Sequence, residues 1–178
     1  MKKTTLFVTV VSSLASLFFI PSTGYAQTNF DPATISDASF KAFLPAWEEG
    51  LNRFSYGDPA LFKQNVSHSA DATIFGAFGG YEKGWEKVGP RYDWAASQFK
   101  TSGPKLKPEY KYINIIVSGD LAYTAAIAQS VVQETAIEKG APLRVTEIFR
   151  KENGAWKLLH RHADPLIEKK APTPPLKK

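Results

Sequence analysis

Apolar residues recur at helical spacing early in the chain. Phe40, Phe43, Leu44, Trp47, Leu51 and Phe54 form one face of an amphipathic helix. Pro45 interrupts that face, so the helix either starts near it, as a first-turn proline allows, or bends there. Tyr56-Gly57-Asp58-Pro59 stops the pattern, and Pro59 to Val66 fits a further short helix. Ala72 to Phe78 reads as a strand closed by Gly79-Gly80. Glu82 to Lys100 is helical again, with Trp85, Val88, Tyr92, Ala95 and Phe99 on one stripe and a break or kink at Gly89-Pro90. Thr101 to Pro108 reads as a loop.

From Tyr110 the period shortens to that of strands. Tyr110 to Val117 alternates, Ser118-Gly119-Asp120 turns the chain, and Leu121 to Gln133 is a long strand rich in small residues. Glu138 to Pro142 connects to Leu143–Lys151, and Asn153-Gly154 joins that strand to Trp156–His162 as a tight hairpin. Helices followed by an antiparallel run predict an α+β domain, a strongly curved sheet wrapped around amphipathic helices with a concavity between them.

The two ends are different in character. Lys2 and Lys3 precede an apolar run from Leu6 to Ile20, and Gly24-Tyr25-Ala26 puts small residues at the −3 and −1 positions of a cleavage site. That order predicts a secretory signal peptide over 1–26, bacterial in type, and export to the periplasm or the medium. The run falls short of the ~20 residues that span a bilayer, so no membrane attachment is expected after cleavage. Residues 27–38 read as a flexible lead-in, 39–165 as the domain, and 166–178, rich in Pro and Lys, as a disordered tail.

Composition narrows the chemistry. The chain has no Cys, which excludes disulfides, thiol catalysis and thiolate metal sites, so packing alone must stabilise it. Its net charge of +5 comes partly from the leader and tail lysines. No basic stripe interleaved with aromatics suggests nucleic acid. The glycines at 76, 79, 80 and 84 lack the Lys and the strand-to-helix setting of a phosphate loop. Asn65-Val66-Ser67 is a glycosylation sequon that matters only in a eukaryotic secretory route.

Several stretches together are family-like. The helix carrying Trp47 with Tyr56-Gly57-Asp58, the run DATIFGAFGGYEKGWEKV from Asp71, SGDLAYT from Ser118 and LRVTEIFRKENGAWKLLHRHADP from Leu143 resemble the SnoaL-like branch of the nuclear-transport-factor-2-like superfamily. The resemblance spans Phe40 to Pro165. It implies a cone-shaped fold with an internal pocket and a homodimer through the outer sheet face. It implies no single activity, since the superfamily holds ketosteroid isomerase-like enzymes, polyketide cyclases, dehydratases, epoxide hydrolases and non-catalytic binding members.

Strand alternation supplies candidate site residues. A two-residue Asn153-Gly154 turn sets Glu147 opposite His160, Val145 opposite His162 and Phe149 opposite Leu158. The apolar face, with Trp156, Leu158, His160 and His162, is expected to point inward; Arg144, Thr146, Arg150, Lys157 and Arg161 are expected outside. A one-residue slip would reverse this pairing. On this register Glu147 and His160 form an acid-base pair in an apolar cavity, supported by His162 and Asp164; they could equally satisfy one another as structure. Asp71 is a second carboxylate able to orient a His, and Trp47, Tyr56, Trp85, Tyr92, Phe149 and Trp156, with Trp94, are candidate pocket walls. His160 and His162 with His68 or Glu147 meet only the minimum for zinc, and neither metal nor cofactor is expected. Two functions stand open: binding of a small, mostly apolar carbonyl compound with proton transfer on it, or a non-catalytic module holding a ligand or a protein partner.

Overall fold

The computed structural model describes residues 30–100, 106–132 and 138–169. The expected signal peptide and most of the expected tail lie outside these residues. None of the described helices is long and apolar enough to cross a membrane.

Helix α1 runs from Ala38 to Phe54, and Asp37 caps it by accepting the Phe40 N–H at 2.8 Å. This cap fixes the start seven residues before Pro45, which lies inside the helix on its exposed side, where the unbonded carbonyl it leaves can face water. Phe40, Leu44, Trp47 and Leu51 turn inward. The lead-in is anchored too: Ile35 is buried and Phe30 packs against the core. Helix α2 covers Ala60–Gln64. The stretch expected to be one helix from Glu82 divides at Gly84. Strand β2, Tyr81–Lys83, pairs back on β1, Thr73–Phe75; only then does α3 run from Trp85 to Ser97. Gly84 makes the turn with φ of +81°, a conformation that disfavours any side chain.

Four longer strands complete the sheet: β3 Leu106–Ser118, β4 Leu121–Val132, β5 Glu138–Glu152 and β6 Ala155–Pro165. The order is β2-β1-β6-β5-β4-β3, antiparallel except where β1 lies parallel to β6. The sheet is thus six-stranded, curved and unclosed, with the helices in its hollow: the expected α+β cone. Asn153 and Gly154 make the β5–β6 turn, both with positive φ, as a tight right-twisted hairpin requires.

One irregularity controls the site. Phe149 faces Leu158, but the next pair is Ile148 with His160, leaving Leu159 as an extra residue in β6. This bulge inverts the expected facing of every residue beyond it. Three inward rows result across β4, β5 and β6: Ala122-Phe149-Leu158, Thr124-Glu147-Arg161 and Ala126-Val145-Ala163. His160 and His162 therefore stand on the convex face and Arg161 on the concave one, the reverse of the expectation for all three. Thr146 and Arg144, paired with His162 and Asp164, face outward as expected.

The core beneath α1 is aromatic. Phe40, Trp47, Phe62 and Phe149 are almost completely buried, and Phe149 meets Phe40, Phe43 and Trp47 edge-on at centroid distances of 5.2 to 5.6 Å. Helix α1 is held to the sheet mainly through this contact. Phe149→Ala is expected to lower unfolding free energy by about 3–5 kcal/mol, measured by urea titration, because the rings of α1 cannot collapse into the space.

Candidate functional site

The middle inward row carries charge into an apolar interior. Glu147 is fully buried, and Arg161 Nη1 donates to its Oε1 across the register that the bulge creates. Trp47 Nε1 donates to Oε2 at 3.3 Å from α1, and Thr124 Oγ1 to the same oxygen at 3.2 Å from β4. Arg161 Nη2 also donates to the Tyr110 hydroxyl at 3.1 Å. Desolvation pushes the Glu147 carboxyl upward, against the opposing pull of Arg161, Thr124 and Trp47. For Arg161 burial works against the charge, but Tyr110, Glu147 and Tyr92 outweigh it and hold the guanidinium above its ordinary value. The two charges sustain each other.

Beyond this row the cone is hollow. A cavity of about 290 Å³ is lined by Leu51 and Phe54 of α1, Tyr92 and Phe99 on and beyond α3, Tyr110 of β3 and Arg161, among other mostly apolar residues. Small β4 side chains such as Ala128 leave the room. The Tyr92 hydroxyl is buried and has no hydrogen-bond partner among the described residues, although Tyr92 lines this cavity. Burial raises the Tyr110 phenol to about 12 and pushes Tyr92 upward as well, so both remain protonated donors. The residues that line the cavity thus include a guanidinium and two neutral phenols, all hydrogen-bond donors. Among the described residues lining the cavity there is no carboxylate and no imidazole.

Of the residues expected to line the pocket, Tyr92 alone does. Trp47 and Phe149 fill the aromatic core, and Trp156 is buried against Phe40, donating to Ser39 Oγ at 3.0 Å. Trp85 stacks on His68 with centroids 3.7 Å apart, Trp94 is 44% exposed, and Tyr56 sits in the turn after α1. Asp71 is ion-paired with Arg150 at 2.7 Å, which holds its carboxyl well below the ordinary range, so it orients no histidine. Asp164 pairs with Arg144 in the same way. His160 bonds the Thr73 hydroxyl at 2.8 Å, and both terminal-strand imidazoles pack edge-on to Phe75. The expected Glu147–His160 pair is corrected to Glu147–Arg161. Among the described residues no three His, Asp or Glu side chains gather as a metal centre. Arg161, Tyr110 and Thr124 were not anticipated as site residues. The adjacent apolar pair Leu158-Leu159, which breaks strict alternation, was the available signal for Arg161.

Removing one charge strands the other. Arg161→Ala and Glu147→Ala are each expected to lose about 3–5 kcal/mol of stability. The double variant Glu147→Leu/Arg161→Met should recover most of that in urea unfolding, giving a large non-additive coupling in a double-mutant cycle.

Comparison with known proteins agrees with the fold. A family model described as the SnoaL-like domain matches residues 36–168. No curated protein matches the chain. Among solved structures, a candidate calcium/calmodulin-dependent protein kinase type II association domain from Thiobacillus denitrificans ATCC 25259 superposes with a TM-score of 0.58 at 15% identity, covering 71% of this chain and 94% of its own. A candidate ketosteroid isomerase from Shewanella frigidimarina NCIMB 400 gives 0.53 at 20% identity, covering 72% and 96%. A candidate dehydratase of the NTF2-like family from Streptomyces avermitilis gives 0.56 at 18%, covering 73% and 95%. Such identities speak for the fold alone, but the domain match spans most of the chain: the protein belongs to the SnoaL-like domain family.

Proposed function

We propose that the cavity binds a small, mostly apolar, neutral carbonyl compound whose oxygen is received by Tyr92, Tyr110 and Arg161. The observation that carries this reading is the Tyr92 hydroxyl, buried and unpartnered, on a residue that lines a mostly apolar hollow together with Arg161. Buried donors left unpaired cost free energy, so a matching acceptor gains from filling the position. Charge selects the acceptor. Both guanidiniums of the lining already have a carboxylate partner, Glu147 for Arg161 and Glu82 at 3.8 Å for Arg91. A ligand carboxylate would therefore bring an uncompensated negative charge into a desolvated site, whereas a carbonyl brings none. The volume suits a compact ligand, at the lower edge of the ~300–1,000 Å³ typical of small-molecule sites. Binding is favoured over proton abstraction, because both Glu147 oxygens are engaged by donors and the carboxylate is not part of the cavity wall. The amino-terminal signal pattern supports export of the domain, which the family match begins only at residue 36.

The convex face supports assembly as a homodimer. Ile113, Ile116, Leu121 and Tyr123 are exposed on or beside it, grouped on the neighbouring strands β3 and β4 rather than scattered over the surface. Ile116→Glu combined with Tyr123→Glu is expected to convert a dimer into a monomer in sedimentation equilibrium while leaving the far-ultraviolet dichroism unchanged. A wild-type monomer across micromolar concentrations would remove the dimer.

The binding reading is tested with three probes of matched size: acetophenone, cumene and benzoate. Wild type should bind acetophenone most tightly by calorimetry, and Tyr92→Phe should reduce that preference over cumene by about threefold to tenfold while still binding cumene. Equal affinity of wild type for acetophenone and cumene, or a preference for benzoate, would reject the assignment.

A further inference from the structure

Strands β1 and β6 run parallel, with Phe75 beside His162, so both leave the sheet at the same end. Three residues further on, the chain after β1 has reached Phe78 and β6 has reached Pro165, its last residue. Both segments line the cavity, through Ala77 and Phe78 on one side and Ala163 on the other. Phe78 is at once a lining residue and 54% exposed, which puts the rim of the cavity at this end. Past Pro165 the chain holds to β5 for one more residue, Leu166 N–H donating to the Pro142 carbonyl at 2.8 Å. Leu166 and Ile167 are both exposed. The carboxy-terminal segment therefore starts beside the rim.

An aromatic surface lies next to that starting point. Phe78 meets Trp94 of α3 edge-on with centroids 5.6 Å apart, and Trp94 is 44% exposed. Phe99 adds a third ring, 6.0 Å from Phe78. Arg91 braces the group from both sides. Its Nη2 donates to the carbonyl of Gly79, the residue after Phe78, at 2.6 Å, and its guanidinium lies over the Trp94 ring at 4.4 Å. Phe78 and Trp94 are thus held in place and still half uncovered. Rings fixed in this way form the kind of groove on which proline-rich chains pack.

The described residues end at Lys169, and the sequence goes on as Lys170-Ala171-Pro172-Thr173-Pro174-Pro175-Leu176-Lys177-Lys178. Three of the five residues from Pro172 to Leu176 carry no N–H, so laying them on an apolar surface strands few donors. Their preference for the extended polyproline form also lowers the entropy lost on docking. Reach is sufficient. From Pro165 to Pro172 is seven residues, about 22 Å at the ~3.1 Å per residue of that form. Neighbouring strands lie only about 5 Å apart, and a packed helix about 10 Å away. From this we infer that residues 172–176 seat on the Phe78–Trp94 pair, as a strap laid across the rim of the cavity. The seat does not depend on what the cavity holds.

The chain has no Cys, so Lys177→Cys accepts a single nitroxide label beside the seated residues. Each of the four Trp gives one indole signal in the NMR spectrum of the isotope-enriched full chain, and Trp94→Phe identifies the reporter. The tether supplies an effective concentration of about 1 mM, so the label should remove more than about half of the Trp94 intensity. Trp47 and Trp156, in the core beneath α1, should keep theirs. Changing Pro172, Pro174 and Pro175 together to Ser should restore the Trp94 signal, as should Phe78→Ser; the proline variant decides if Phe78→Ser does not fold. A Trp94 signal untouched by the label, or reduced equally without the prolines, would overturn the seat. So would the same loss on mixing spin-labelled chains with unlabelled isotope-enriched ones, because the segment would then come from a second copy.

Discussion

The Glu147–Arg161 pair is the constraint around which the interior is arranged. Two opposite charges removed from water have lost several kcal/mol of hydration each, and they persist only where further hydrogen bonds offset part of that loss. The structure meets that demand from three directions: Trp47 from α1, Thr124 from β4 and Tyr110 from β3. Each partner fixes the position of its own element against the sheet, so a single polar network ties the helix to four strands, β3 to β6. It also divides the cone. On the Trp47 side aromatic rings fill the space, whereas on the Arg161 side the space is left open.

The pair exists because β6 contains a bulge. Without Leu159 as an extra residue, strict alternation would bring His160 to Glu147 and send Arg161 to the outside. An imidazole in that position would give the cavity a group able to exchange protons; the guanidinium gives it a fixed donor that keeps its charge throughout the physiological range. The same bulge places both imidazoles beside Phe75 on the convex surface. One inserted residue therefore moves the titratable chemistry from the hollow to the face that the dimer reading uses.

This explains what could and could not be read from the sequence. The helical face from Phe40 to Phe54, the Asn153-Gly154 turn and the long strands are determined by local periodicity and turn chemistry, and they were legible. The α3 boundary was obscured because Tyr81–Lys83 is too short to show alternation, and only the positive φ of Gly84 separates strand from helix. Glu147 was recognised as inward because β5 alternates without interruption through it. Its partner was misassigned because a bulge is a relation between two strands, and sequence alternation describes only one. Thr124 joins the site by cross-strand register and Tyr110 by reaching over from the Ala128 position, and neither relation has a local signature.

The family fold leaves function open, so the site has to decide it. What distinguishes this one is the kind of neutrality it has. Arg161 gives the cavity directional donors, yet Glu147 cancels its charge from behind the wall, and the tyrosines beside it are kept protonated by burial. Such a surface discriminates by hydrogen-bond geometry rather than by net charge: it offers an advantage to a polarised oxygen and a desolvation cost to an anion. A carboxylate placed directly on the wall would have done the reverse, supplying a base but repelling the electron density that a carbonyl presents. Holding the acid one layer back turns an acid-base dyad into a donor array, and that displacement is what the proposed role of the hollow half of the cone, as a receptor for a neutral acceptor, rests on.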